Sequence, residues 1–248
     1  MDVTFCRMGC GTINGVLLSF DQDWAPDYMM TPIIDDLIRR NLKSTWFVTN
    51  DSPAVQRMLE LPRLFEVGIH PNFLPDSTQG RDMFEIMNNL LSIVPNAKCV
   101  RTHRAYQHHT LLAIIADYGL EVDSSIYLGE MQHIRPFDVW YDGIHHLTRI
   151  PYFWSEESEL HKRRPFLNPD WGGCGLKVLA FHPVHVFLNS CTFRGYRVLR
   201  RNGLNRTDEL GARECIESWF GTRRFYEHAL EIAANKTLLE IALEKKDS

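Results

Sequence analysis

Short apolar runs that each stop at an ionisable side chain are the feature that most limits what this chain can fold into. Val16-Leu17-Leu18-Ser19-Phe20 stops at Asp21, and Phe65-Glu66-Val67-Gly68-Ile69 stops at His70. Cys99-Val100 stops at Arg101, with His103 two residues on, and Val178-Leu179-Ala180-Phe181 stops at His182. Runs this short and β-prone read as buried strands. Stretches 44–49, 121–125, 147–153 and 176–181 supply the remaining β-rich segments. Between them lie helical patterns. Residues 32–40 carry apolar side chains at 33, 34, 37 and 38, with Thr31 as cap and Pro32 at the first helical position. Residues 53–61, 81–93 and 110–118 follow, the last closed by Gly119, and 209–220 and 223–244 read as closing helices. Strands alternating with helices are the signature of parallel βαβ units. The expectation is a single barrel-like α/β domain.

Composition narrows the function classes. A chain of 248 residues can bury a core without disulfides or a structural metal. Lys plus Arg is 27 against 31 Asp plus Glu, a net charge of −4, so there is no overall electrostatic driver toward nucleic acid. The apolar stretch 111–116 is far shorter than the roughly 20 residues of a membrane-spanning helix. The start Met1-Asp2-Val3-Thr4-Phe5-Cys6-Arg7 lacks a basic region followed by an apolar one, so the expected location is cytoplasmic. Six cysteines stand at 6, 10, 99, 174, 191 and 215. Only Cys6 and Cys10 are close, at a spacing that fits no common zinc pattern, and the set reads as buried reduced thiols.

Active sites of parallel α/β domains gather at the carboxyl ends of the strands. Those ends carry Asp21 and Asp23, His70 and Asn72, Arg101 and His103, and His182 and His185. Taken singly, each has a plain explanation: an Asp after a strand caps a helix, and a lone His is a satisfied structural residue. Their convergence suits a divalent ion such as zinc, with an open position for water. A carboxylate beside the metal could accept a proton from that water, and a separate His could protonate a leaving group.

The same residues carry a resemblance. Ser19-Phe20-Asp21-Gln22-Asp23 resembles the first motif of the polysaccharide deacetylase family (NodB-like, carbohydrate esterase family 4). Lys43-Ser44-Thr45-Trp46-Phe47-Val48 is similar to its second strand, and Glu66-Val67-Gly68-Ile69-His70 to its second motif. Val100-Arg101-Thr102-His103 falls where the family has Arg-x-Pro, and Val178-Leu179-Ala180-Phe181-His182-Pro183 is similar to its final motif. The ordered set spans about residues 14–190, with the C-terminal helices at 207–246 beyond it.

The resemblance implies a distorted (β/α)7-type barrel and metal-dependent hydrolysis of an N-acetyl group. Asp21 would be the general base, His182 the general acid, and Arg101 the partner that orients Asp21. Asp23 and His70 would be metal ligands, Trp154 would line the acetyl or sugar pocket, and Tyr106 would contact substrate. The family's second His falls at position 74, which is Leu here. Asn72 is the third-ligand candidate by position, and His103 is the candidate by ligand chemistry. Arg104-Ala105-Tyr106 also departs from the family's usual Pro-Tyr-Gly, which leaves the backbone oxyanion donor open. The branch resembles deacetylases of surface-polysaccharide, especially O-antigen, biosynthesis. A cytoplasmic, nucleotide- or lipid-linked N-acetylated sugar is the implied substrate. Two other readings compete: an allantoinase-like hydrolase of cyclic imides or ureides, and a non-catalytic sugar binder.

Several features stand outside the motifs. The middle of the chain holds Trp140, Tyr141, Tyr152, Phe153, Trp154 and Trp171, which read as core or as a sugar-stacking groove. His108 and His109 read as surface residues opening a helix, and His161 and His228 as solvent-exposed. Of His133, His145 and His146, one could contact substrate, and His185 could support His182. The arginine-rich run 194–201 reads as a solvated face, with a phosphate or an acidic sugar as the alternative.

Overall fold

Every residue of β1 (Gly15–Asp21) is buried, as a strand with neighbours on both sides and layers on both faces requires. The computed structural model describes residues 15–75, 77–141, 143, 145–162 and 174–246. Cys6, Cys10 and Trp171 lie outside them. After β1 the chain forms α1 (Asp27–Arg40), β2 (Ser44–Val48), α2 (Pro53–Leu59), β3 (Phe65–Ile69), α3 (Met83–Ile93), β4 (Cys99–Val100) and α4 (His109–Asp117). There follow β5 (Val122–Asp123), β6 (Phe137–Trp140), β7 (His146–Arg149), β8 (Trp154–Ser155), α5 (Glu156–Lys162), β9 (Leu176–Phe181) and α6 (Pro183–Leu188). The last elements are α7 (Arg194–Asn202), α8 (Glu209–Arg213), α9 (Thr222–Ile232) and α10 (Leu238–Lys246).

The strands join in the order β6-β7-β5-β4-β3-β2-β1-β9-β8. All pairings are parallel except the β6–β7 hairpin, which the sequence reading did not anticipate. Tyr152 N–H donates to the Ile126 carbonyl, Leu128 N–H to the Tyr152 carbonyl, and Phe153 N–H to the Val178 carbonyl. The segment at 152–153 therefore links the chain just after β5 to β9 on the far side of the sheet. The result is a single mixed α/β domain whose sheet curls into a half-barrel, the architecture in which the expected distorted (β/α)7-type barrel is realised.

Register fixes which side chains point inward. Ser19 lies opposite Thr45 on β2 and Ala180 on β9, while Phe20 lies opposite Trp46 and Phe181. Alternation along the strand then puts Ser19 and Asp21 inside and Phe20 outside. Outside, Phe20 stacks on Trp46 with ring centroids 4.4 Å apart and meets Tyr226 of α9 edge-on. Asp21 faces Phe47, Phe47 faces Gly68 and Ile69 faces Val100, so His70 and Arg101 leave β3 and β4 two residues beyond the level of Asp21, at the same end of the sheet. At Gly68 a Cβ would lie 2.3 Å from the Cys99 carbonyl oxygen, so only glycine admits this close approach of β3 and β4.

Three helix readings change. Helix α1 begins at Asp27, with Pro32 inside it and Pro26, not Thr31, as the preceding cap residue. Burial of Met29 and Met30 on the same face as Ile33, Ile34 and Leu37 extends the helix by a turn and offsets the lost proline N–H. The stretch 209–220 contracts to α8. The stretch 223–244 is two helices, because Ala234 N–H donates to the Val16 carbonyl and straightens the chain beside the start of β1. Among the described cysteines all are free, but only Cys99 is fully buried; Cys174, Cys191 and Cys215 are half-buried. Among the described residues no helix is long and apolar enough to cross a membrane.

Candidate active site

Parallel strands deliver the polar side chains to one end of the sheet, and the loops that follow aim them. After Asp21, the Gln22 carboxamide oxygen accepts from Thr49 N–H at 2.8 Å and Asn50 N–H at 3.2 Å, tying the β1 and β2 ends together. Asp23 and Trp24 then adopt left-handed backbone conformations, φ 45° and 56°. For Trp this is uncommon and costs energy unless its surroundings over-determine it. Trp24 N–H donates to Thr49 Oγ1 at 3.0 Å and its ring meets His103 edge-on, which supplies that constraint. The turn swings the Asp23 carboxylate over the strand ends.

There Asp23 Oδ1 lies 3.1 Å from His70 Nε2 and 3.0 Å from His103 Nδ1, and the two ring nitrogens are 3.3 Å apart. Burial alone would raise the Asp23 carboxyl; the two imidazoles outweigh it and hold the group well below the ordinary carboxylate range. One oxygen and two nitrogens with these separations match the edges of a tetrahedral metal site. Bonds of about 2.0–2.1 Å imply donor–donor edges of roughly 3.3 Å. The donor set therefore fits a divalent ion, and Asp23, His70 and His103 are the residues that would hold it. His103 N–H donates to the Pro71 carbonyl, and Thr102 N–H donates to Ser125 Oγ, which in turn donates to Asp123. These bonds lock the β4 loop against the β3 loop.

Beside the triad, Arg101 fills the barrel interior, 2% exposed. Its Nη1 donates to Asp21 Oδ1 at 2.9 Å, Nη2 to Ser19 Oγ and Ser124 Oγ, and Nε to the Ser124 carbonyl. Phe47 and Tyr152 rings lie 4.5 and 4.9 Å from the guanidinium carbon. A buried charge needs this degree of pairing and hydrogen bonding to be tolerated. One Asp21 oxygen is thereby fixed, and the other, Oδ2, lies 3.8 Å from His182 Nε2.

His182 emerges next to Asp21 because Phe181 is paired with Phe20. Glu156, fully buried at the start of α5, has Oε1 3.0 Å from His182 Nδ1 and accepts the His182 backbone N–H as well. The ring is thus oriented with Nε2 toward Asp21 and Asp23. Burial pushes the His182 imidazole down, but the Glu156 and Glu157 carboxylates more than compensate and hold it well above the ordinary imidazole range. His185, also buried, is pushed down to about 3 by desolvation and by the His182 charge, and is neutral. Its Nδ1 lies 3.0 Å from Ser190 Oγ.

These groups floor a cavity of about 710 Å³, a size ordinary for a small-molecule site. Asp21, Asp23, His70, Arg101, His103 and His182 all line it. Other expected residues stand elsewhere. Asn72 is not in the lining, and its amide oxygen accepts from Leu74 N–H on its own loop. Trp154 is 1% exposed: its strand register pairs it with Leu179 on the outer face, where it packs on Phe225 and Phe181. The alternate residue, Ser155, sits beside Ala180 on the inner face, and Tyr152 supplies the aromatic wall. Tyr106 is 39% exposed, outside the lining and edge-on to His108; Arg104 and Ala105 before it take left-handed conformations that turn the chain away. His133, His145 and His146 do not line the cavity, whereas His161 does. Glu156 escaped the sequence reading: it follows no strand-end run, and its only signal is a position directly after Trp154-Ser155.

Comparison with known proteins places the chain in a family. A WbmS-like polysaccharide deacetylase family model matches residues 18–200. No curated protein is similar enough in sequence to match. Among solved structures, one from Bordetella bronchiseptica (WbmS), provisionally assigned as a polysaccharide deacetylase involved in O-antigen biosynthesis, is 27% identical. The match covers 87% of this chain and 89% of that one, with a TM-score of 0.77. A 4-α-glucanotransferase from Thermococcus litoralis, 11% identical with a TM-score of 0.54, covers 94% of this chain and 38% of its own, a likeness of fold alone. With a family model spanning residues 18–200, most of its length, this chain belongs to the WbmS-like polysaccharide deacetylases.

Proposed function

We propose that the protein removes the N-acetyl group from a sugar by hydrolysis during surface-polysaccharide biosynthesis. The observation that carries this reading is the placement of a carboxylate and an imidazole, Asp21 and His182, 3.8 Å apart beside the Asp23–His70–His103 triad. A divalent cation there, zinc by its donor set, would supply Lewis acidity to the acetamide carbonyl. Asp21, with one oxygen held by Arg101, takes the proton from the attacking water through Oδ2. His182, protonated and oriented by Glu156, gives its proton from Nε2 to the departing nitrogen. An amide nitrogen leaves poorly unless protonated, so the acid is required. Arg101 is a positioning residue, since it reaches Asp21 and four of its N–H donors are bonded within the protein. The B. bronchiseptica neighbour's assignment to O-antigen biosynthesis supports a surface-polysaccharide sugar as the substrate.

The non-catalytic alternative drew on the missing family histidine; His103 would complete the donor set without it, which favours the enzyme. The test is acetate release from N-acetylated sugars by zinc-loaded protein. The His182→Ala variant is expected to lose about 10²-fold or more in turnover at unchanged metal content. Ring opening of cyclic imides with no acetate release from any sugar would sink the reading.

A further inference from the structure

Helix α7 carries four arginines, and the structure divides them. Residues 193, 196, 197, 200 and 204 line the cavity, a spacing of three and four that marks one helical face. Gly195 and Leu199, buried on the opposite side, fasten the helix; a Cβ at 195 would lie 2.5 Å from the Cys215 carbonyl oxygen. Arg197 and Arg200 therefore face the cavity, while Arg194 and Arg201 do not line it. Arg104, from the β4 loop, lines the cavity as well. None of these three guanidiniums has a carboxylate within ion-pair distance among the described residues, a condition they share with Arg194 and Arg201. What sets the three apart is that they line the cavity. Of the carboxylates in the lining, Asp21 is engaged by Arg101 and Asp23 by two imidazoles, while Glu157 lies 3.9 Å from Nε2 of the neutral His185.

A neutral sugar gives no reason to gather, in the cavity that holds the Asp23–His70–His103 triad, three guanidiniums with no carboxylate partner among the described residues, even with Arg197 lying 5.8 Å from the Phe193 ring. Guanidiniums are the side chains best shaped to fork onto phosphate oxygens. We infer that Arg197 and Arg200, with Arg104, form a subsite for a diphosphate attached to the N-acetylated sugar. This rests on the deacetylase reading for its sugar half alone. A diphosphate diester brings two negative charges, which one carboxylate on the sugar would not. Nucleoside and lipid carriers share that chemistry.

The experiment compares acetate release by the zinc-loaded full chain from three probes: UDP-N-acetylglucosamine, farnesyl-diphospho-N-acetylglucosamine and the methyl glycoside of N-acetylglucosamine. At least one diphosphate probe is expected to have a KM lower than the glycoside's by about 10–100-fold, the scale of hydrogen bonds to charged groups. Its identity tells a nucleoside carrier from a lipid one. The double variant Arg197→Ala/Arg200→Ala should raise that KM by about the same factor with kcat and the methyl glycoside unaffected. The paired control Arg194→Ala/Arg201→Ala, on the same helix but off the cavity, should change neither. Equal KM values for all three probes, or a double variant that weakens the neutral glycoside as much, overturns the subsite. If no probe releases acetate, calorimetric binding of UDP-glucose, which has no N-acetyl group, decides separately. Binding lost in Arg197→Ala/Arg200→Ala upholds the subsite while deacetylation falls, and no binding overturns it.

Discussion

Glu156 occupies Nδ1 of His182, and that contact decides which nitrogen faces the reacting groups and how long it keeps its proton. His182 is held above the ordinary imidazole range by the Glu156 and Glu157 carboxylates, against the opposing effect of burial. An acid must be protonated to act, so a raised value extends activity toward alkaline pH. Glu156→Gln keeps an acceptor oxygen but removes the charge. The alkaline limb of the kcat/KM profile is expected to move to lower pH, with kcat falling about 10–100-fold, as for loss of an outer partner. An unmoved limb would show that Glu156 merely packs. The candidate metal ligands are separable in the same way. His103→Ala should lose bound metal on dialysis, by more than the roughly 10–100-fold that an outer partner costs, while Asn72→Ala retains it. Elemental analysis of the dialysed proteins reads both.

At the level of elements, the site depends on how closely neighbouring strands approach. Gly68 lets β3 lie against the Cys99 carbonyl of β4, and the next inward residues are His70 and Arg101. Gly68→Ala must push these strands apart or distort them. It is expected to destabilise the fold by about 1–3 kcal/mol, the usual cost of overpacking, read as a lower thermal midpoint. Unchanged stability would mean that the strands adjust freely. Elements also account for two of the sequence reading's errors. Apolar spacing continues across 223–244, but a backbone hydrogen bond from Ala234 to Val16 breaks the helix there. An aromatic at 154 was expected in the pocket, but strand register turns it outward beneath α9.

On the scale of the whole molecule, the core and the metal triad make separate contributions. The buried apolar residues run continuously from β1 through α9 and α10 and do not depend on the triad. Chelation should therefore abolish activity and leave the secondary structure intact. A ligand that binds only the folded state stabilises by about 2.7 kcal/mol at 100 times its Kd. For a chain of this length that is a rise of roughly 5–10 °C in Tm. Added zinc should produce it in the native protein and not in His103→Ala, as differential scanning would show. The alternation of apolar runs and helical spacing was enough to establish a parallel α/β sheet and to put Asp21, His70, Arg101 and His182 at one end of it. A buried run has to stop where the core stops, and parallel strands stop together. Periodicity records burial, however, and not partners. Asp23 and His103 are 80 residues apart, His182 and Glu156 are 26 apart, and α7 reaches the cavity only because Gly195 and Leu199 dock its other face. Register, loop turns and helix docking placed His103 rather than Asn72 beside Asp23 and His70, gave His182 its carboxylate and brought two of four arginines to the cavity, since only the folded chain brings those groups together.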